Sequence, residues 1–408
     1  MKVMVNGMIV YILCLGFAGS LQGVPYKLGI ENISDQLLQE LQKKRIGLIT
    51  NQTGRDQKGQ RTIDVLRQRG LRIVKIMVPE HGLNGDIPAE KPVSNSFDKK
   101  TKIPVISLYG KGMGKKIDET ILDDVDIIIF ELQDSGMRHY TYISTLLTVL
   151  EAAALYGKQV IVFDRPNPLG YIMEGPLVES DLFSFVSIAA IPLRHGMTIG
   201  ELARFFNEQV LKKTARLSIV WMDNYDRRMG LAGLWLANLS PNISNIQACY
   251  GYSFLGLLGE VEPFKNGVLM GRPFQLVALP EKNAFSDQQW RSLALLLKGY
   301  GIGTQEMRLK KNWKIYKGLL ITIKDINMVS GFQTLLAVLD YAKQEQLPMT
   351  FRPIFDKAVG TKKLRAYLND SLSRSKLIAS INNDLIDFFK RAESYYFYKP
   401  TPRPLLIR

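Results

Sequence analysis

Four short polar clusters in this chain carry residue types that can do chemistry, and each follows an apolar run. They are Asn51-Gln52-Thr53-Gly54, Pro79-Glu80-His81-Gly82, Gln133-Asp134-Ser135-Gly136 and Asp164-Arg165-Pro166-Asn167-Pro168. One such cluster is explained by turn chemistry, which selects Asp, Asn, Gly and Pro without any function; four in succession argue for a site. The carboxylates Glu80, Glu131, Asp134, Asp164 and Glu174 all fall at or just beyond the apolar runs. Two carboxyl groups flanking a bond, one protonated and one ionised, are the requirement of glycoside hydrolysis. Glu80 comes directly after RIVKIMVP and leads into a loop with Asp86 and Glu90. Partial burial there would raise its pKa, as a general acid needs. The same glutamate could instead cap a turn.

The cations and rings sit in the same places. Arg138, Arg165 and Arg194 offer guanidinium forks, suited either to a substrate carboxylate or to the domain's own acids. Tyr140 and Tyr142 could stack on a sugar face or form the first turn of a core helix. The three histidines, His81, His139 and His195, lie in PEHG, GMRHYTY and IPLRHGMT. With Glu80 and Asp134 they include zinc-ligand types, but the spacing fits no metal motif and no H-x-x-x-H pair occurs, so hydrogen-bonding or structural histidines are expected. No G-x-G-x-x-G opens a helix after the first apolar run. GKGMGKK at 110–116 lacks phosphate-loop spacing and reads as a solvated glycine-rich turn, which disfavours a nucleotide-using transferase.

The elements that would position these residues are legible in outline. RIGLIT, LRIVKIMV, IPVISLYG, VDIIIFEL, QVIVFD and RLSIVWM are nearly continuous apolar runs. They alternate with helical spacing in DQLLQELQKK, TIDVLRQRG, TYISTLLTVLEAAALYG and ELARFFNEQV. That alternation predicts an α/β domain over 26–230, a Rossmann-like doubly wound, mostly parallel sheet covered on both faces. Ligands then belong beyond the carboxyl ends of the strands, where the polar clusters lie. Over 231–408 the segments shorten. GYSFLGLLGE, GVLMGRPFQLVALP and GLLITIKD are expected as strands, FQTLLAVLDYAKQEQ and LIASINNDLIDFFKRAE as helices, giving a second, smaller α+β domain that forms the other cleft wall.

Residues 1–20 begin with Lys2, continue through the apolar run Met8 to Ala18 and end in small residues. The run is too short for a membrane span, which takes about 18 apolar residues, and the pattern predicts a cleaved signal peptide and export to the periplasm or beyond. Bulky Leu13 before Cys14 argues against lipidation. Only Cys249 then remains, so no internal disulfide can form and the cores alone must hold the fold. The formal charge of +15, reduced by one with Lys2, is spread without a dense basic block. For an exported protein it suits an acidic envelope polymer rather than nucleic acid.

The ordered string GLITNQTG, PEHGLNGD, SLYG, QDSGMRHYTYISTL, DRPNPLG, EGP and IPLRHGMTIGEL resembles the exo-acting β-N-acetylmuramidases of bacteria, glycoside hydrolase family 171, formerly a domain of unknown function. The resemblance implies release of N-acetylmuramic acid from the non-reducing ends of peptidoglycan fragments, in a cleft between a Rossmann-like and a smaller domain, without a cofactor. It implies Glu80 as the acid/base residue, with the second carboxylate left open among Asp134, Glu174 and Asp164. It also implies Asn51, His81, Arg138, Tyr140, Asp164, Arg165, Arg194 and His195 as cleft residues, with Arg138 and Arg194 for the lactyl carboxylate of muramic acid. The chain departs from the family pattern in three places: Glu131 stands where Asp is usual, Asn266 where a Glu is, and Val268 where an Arg is.

Overall fold

The computed structural model describes residues 26–110, 113–231 and 237–407. The expected signal peptide at 1–20, with Cys14, lies outside them, as do Lys111 and Gly112 of the glycine-rich turn. Strands β1 (Arg45–Ile49), β2 (Arg72–Val78), β3 (Ser96–Phe97), β4 (Pro104–Ser107), β5 (Ile127–Phe130), β6 (Gln159–Phe163) and β7 (Arg216–Val220) form one sheet in the order β7-β6-β5-β1-β2-β4-β3. All neighbours are parallel except the β3–β4 pair at one edge. Branched apolar residues fill β5 (IIIF) and β6 (QVIVF) and are buried throughout, because helices cover both faces. The order reverses at β1, with β2 and β4 on one side and β5, β6 and β7 on the other. This is a doubly wound α/β fold whose switch point lies between β1 and β5.

The main helices of that half are α1 (Asp35–Gln42), α2 (Thr62–Gln68), α3 (Tyr142–Tyr156) and α4 (Ile199–Phe205), with a short turn of helix at Glu119–Leu122. The remainder is α+β, built from α5 (Ile246–Leu258), β8 (Leu276–Pro280), α6 (Asp287–Gly299), β9 (Ile302–Lys311), β10 (Lys314–Ile323), α7 (Gly331–Gln344) and α8 (Arg374–Ala392). Strands β8, β10 and β9 form an antiparallel sheet in that order.

The expectation of a strand at GYSFLGLLGE is corrected: the segment lies in α5 and in the residues just after it. The Asn245 side chain caps the helix by accepting from the Ala248 N–H at 2.9 Å. Buried residues occur around most of α5, so the sequence carries no amphipathic period. Gly251 sits there for close packing, since a Cβ on it would come within 1.8 Å of the Phe274 carbonyl oxygen. In GVLMGRPFQLVALP only the last five residues form a strand, β8.

The core is continuous across the two halves: Met137 and Tyr140 belong to the same buried cluster as Phe254, Phe332, Leu385 and Ile407. The chain end returns to the first half, where Phe397 stacks on Trp221 with ring centroids 4.2 Å apart. The Tyr398 hydroxyl donates to Asp164 at 2.7 Å. Asp164 also accepts from the Arg165 N–H at 2.9 Å, the Gly200 N–H at 2.7 Å and the Thr198 hydroxyl at 2.9 Å. It is fully buried.

Burial, reinforced by nearby Glu201, pushes the Asp164 carboxyl from its ordinary 3.8 up to about 7, although its Gly200, Tyr398 and Thr198 donors pull the other way. A carboxyl whose folded pKa is raised contributes stability below its unfolded pKa and loses it as pH rises through the folded one. Wild-type stability should therefore fall from this source between pH 3.8 and about 7. Asp164→Asn can keep all four contacts, because the Thr198 and Tyr398 hydroxyls can turn and accept. Urea unfolding at stepped pH should show that decline flattened in the variant.

Candidate active site

A cleft of about 730 Å³ opens where the loop after β2 faces the loops after α5, within the size range of small-molecule sites. One wall carries Glu80, His81, Glu90, Tyr109, Tyr140 and Thr141; the other carries Tyr252, Glu260, Lys265, Asn266, Val268 and Arg352. Apolar β2 ends at Val78 and the chain turns at once, with His81 and Gly82 both at φ 72°. For histidine this is an uncommon conformation. A 2.7 Å hydrogen bond between its Nδ1 and the Ile87 carbonyl helps to hold it.

The turn places Glu80 at the cleft with 7% of its surface exposed. Its surroundings are polar rather than the apolar setting expected from the preceding strand. The Glu90 N–H donates to Oε1 at 3.0 Å, and the Thr141 hydroxyl, at the N-terminus of α3, donates to Oε2 at 2.7 Å. The Tyr109 phenol is pushed well up by burial, and by Glu80 beside it.

Rings from both halves form the inner surface. His139 and Tyr252 have centroids 4.5 Å apart, Tyr140 meets Tyr252 edge-on at 6.3 Å, and Tyr252 meets Phe274 at 4.8 Å. The Tyr140 hydroxyl donates to the Leu239 carbonyl at 2.5 Å, which fixes its ring at the cleft. Tyr142 is fully buried and takes the other role open to it, opening a core helix. Burial, and then the neighbouring Arg138 charge, lower His139 to about 3, so it is neutral at pH 7. Among the described residues neither of its ring nitrogens has a hydrogen-bond partner, and no three His, Cys, Asp or Glu side chains converge as metal ligands would.

Of the residues expected in the cleft, Glu80, His81 and Tyr140 line it; the others are placed elsewhere. Arg138 is fully buried and donates to the carbonyls of Pro176 (2.6 Å), Ile191 (2.8 Å), Ala358 (3.2 Å) and Val359 (2.5 Å), and to the Ser187 hydroxyl (3.2 Å). Its fork therefore joins two stretches of chain. Arg194 pairs with Glu174 at 3.2 Å, and Glu174 accepts from the Gly331 and Phe332 N–H groups at 2.9 and 3.3 Å. Glu174 is thus a buried cap on α7 and does not line the cleft. Neither arginine reaches the cleft; the cations that do are Lys265, Lys311 and Arg352.

Asn51 accepts from the Thr53 N–H at 2.9 Å and donates to the Tyr142 hydroxyl at 2.7 Å, holding a turn. Asp134 is buried as well. Its Oδ2 accepts from the Gly136 N–H at 2.6 Å and lies 3.1 Å from His195 Nε2. The Met197 N–H donates to His195 Nδ1, which leaves Nε2–H to face Asp134. Asp164 serves the structural role given above.

The switch-point crevice is filled. Arg165 forms a buried ion pair with Glu131, which also accepts from the Thr62 hydroxyl at 2.6 Å. A Cβ on Gly54 would come within 2.6 Å of the Glu131 carboxylate. The open space lies instead one strand over, beyond β2. Sequence reasoning missed Thr141, Tyr252, Glu260 and Arg352. The signal for Glu260 was its place just after a helix, hidden because that helix reads as a strand.

The chain matches the two models of one protein family: "Exo-beta-N-acetylmuramidase NamZ, N-terminal" over residues 46–247 and its C-terminal counterpart over 250–398. It is 32% identical over 383 residues to the peptidoglycan β-N-acetylmuramidase NamZ of Bacillus subtilis (strain 168), covering 91% of each chain. It is similar to two solved structures of DUF1343 family proteins from Bacteroides fragilis NCTC 9343. BF0371 has a TM-score of 0.79 and 33% identity, BF0379 a TM-score of 0.71 and 25% identity. In both cases 92% of this chain and 99% of the other are covered.

Burial lowers the Arg138 guanidinium to about 9, so it stays charged at neutral pH and depends on its five acceptors. Arg138→Met leaves buried carbonyls without donors and should cost about 3 kcal/mol or more of unfolding free energy. Urea denaturation checks this. A residue that only contacted ligand would leave the unfolding midpoint in place and weaken binding.

Proposed function

The chain belongs to the NamZ family of exo-β-N-acetylmuramidases, and from that premise we propose that this glycosidase is exported and releases N-acetylmuramic acid from the non-reducing ends of peptidoglycan fragments during cell-wall turnover. The observation that carries the reading is Glu80, a carboxylate fixed by two donors at the wall of the 730 Å³ cleft. A fixed carboxylate within reach of the scissile bond supplies the proton transfer that glycoside hydrolysis needs. Tyr140 and Tyr252 offer ring faces to a sugar, and Arg352, Lys265 and Lys311 offer the positive charge that a lactyl carboxylate would seek. Export is supported by the leader-like pattern of residues 1–20; the N-terminus of the mature protein, sequenced from the cell envelope or medium, should begin close after Ser20.

One observation favours a second reading, a sugar-binding protein that has lost hydrolysis. Asn266 and Val268, the two positions where charged residues are usual, both line the cleft. Asn266 donates to the Leu255 carbonyl at 3.1 Å and accepts from the Val268 N–H at 3.3 Å, so it braces its own loop.

Incubation with defined muropeptides and mass analysis of the products separates the two readings: free N-acetylmuramic acid supports hydrolysis, bound but intact fragments support the alternative. Glu80→Gln should lower release of chromogen from an aryl N-acetyl-β-muramide by about 10²-fold or more. Unchanged turnover would remove Glu80 from the chemistry.

A further inference from the structure

The cleft holds three carboxyl groups, and they differ in their surroundings. Glu80 is gripped by two donors. Glu90 is exposed and reaches Glu80 through its own backbone N–H. Glu260 follows α5, near the negative end of that helix, with its side chain 26% exposed. Among the described residues no hydrogen-bond donor reaches the Glu260 carboxyl, and its nearest ionic partner, Arg352, stands at 3.9 Å. Arg352 lies closer to Glu262, at 3.0 Å. Glu80, Glu260 and the Tyr252 ring all line this one cleft, the first from the half that carries β2 and the other two from the half that carries α5.

We propose that Glu260 is the general acid of the reaction, donating its proton to the glycosidic oxygen while Glu80 takes a proton from the attacking water. The assignment rests on the muramidase reading above. In the step, the C1–O bond to the departing sugar breaks and its electron pair stays on the leaving oxygen, which receives the Glu260 proton. The water oxygen bonds to C1 and its proton passes to Glu80. Glu260 ends ionised and Glu80 protonated, and exchange with solvent restores both.

The electrostatics run the same way. Burial raises the Glu260 carboxyl above its ordinary value; Arg352 opposes this, while the Glu90 and Glu262 charges add to the rise. Two carboxyl groups whose settings differ in this sense mark an acid and a base. Glu90, open to solvent, lacks the enclosure that a proton donor needs.

The test is a comparison of leaving groups. A general acid is needed for a poor leaving group, such as the sugar alcohol of an N-acetylmuramyl-N-acetylglucosamine disaccharide, and hardly at all for 2,4-dinitrophenolate. Glu260→Gln should lower kcat/KM on the disaccharide by about 10²- to 10⁴-fold, leave the dinitrophenyl N-acetyl-β-muramide within about tenfold of wild type, and flatten the alkaline limb of the pH profile. Equal losses on both substrates, or wild-type rates on both, would overturn the assignment. Glu260→Asp, which restores an acid on a shorter stem, should recover part of the disaccharide rate. Wild-type protein that cleaves neither substrate would sink the muramidase reading itself, and this assignment with it.

Discussion

The geometry of the cleft depends on one buried ion pair, Arg194 with Glu174. Arg194 donates to the carbonyls of Ile326 and Val329, and Glu174 accepts from the first N–H groups of α7. Together they clamp the segment entering α7 to the loops after β6. Desolvating two charges is costly, and a buried pair breaks even only when its remaining lone pairs and protons are satisfied. Here backbone groups satisfy most of them: the Leu169 carbonyl from the same half, and Ile326, Val329, Gly331 and Phe332 from the opposite half of the chain. The clamp thereby joins the two halves of the chain, each of which supplies one wall, and a site split between walls tolerates little misplacement.

A doubly wound sheet ordinarily offers its ligand the crevice at the switch point. In this chain the Arg165–Glu131 pair, the Thr62 hydroxyl and the close approach of Gly54 fill that space. What remains open is the end of β2, where the chain turns immediately after the strand and presents Glu80. The same plug explains why the absence of a glycine fingerprint and the presence of polar strand ends go together. The polar residues after β1, β5 and β6 lock the loops, so the wall at β2 meets its counterpart in a fixed pose.

The sheet was legible because its central strands, β5 and β6 above all, are nearly continuous buried apolar runs, separated by stretches with helical spacing. Glu80 was legible for a related reason, a charged residue set hard against an apolar strand. The remaining site residues were not, because an acid or arginine beyond a strand reads alike whether it meets a ligand or the protein. Arg138, Glu174 and Asp164 are as buried as any core side chain, and only their partners reveal that they hold loops together. Glu260 failed for the opposite reason: α5, buried on most sides, has the composition of a strand, so nothing pointed to the residue just beyond its end.

The charge around the cleft bears on how an acidic sugar would be held. The chain carries a formal +15, yet the cleft lining sets Glu80, Glu90 and Glu260 against Lys265, Lys311 and Arg352. The surplus therefore lies outside, where it can raise the encounter rate with an acidic polymer but is screened beyond about 8 Å at physiological ionic strength. Inside, both Lys265 and Arg352 already pair with Glu262. A substrate carboxylate would have to share or displace that partner. Such an exchange gains little net charge stabilisation, but it selects strongly for geometry, since only a carboxylate placed to accept from the guanidinium at the right angle replaces what Glu262 gives up. Pulling Arg352 toward substrate and away from Glu260 would also weaken a cation that opposes protonation of that acid, which would link binding to proton donation through that guanidinium.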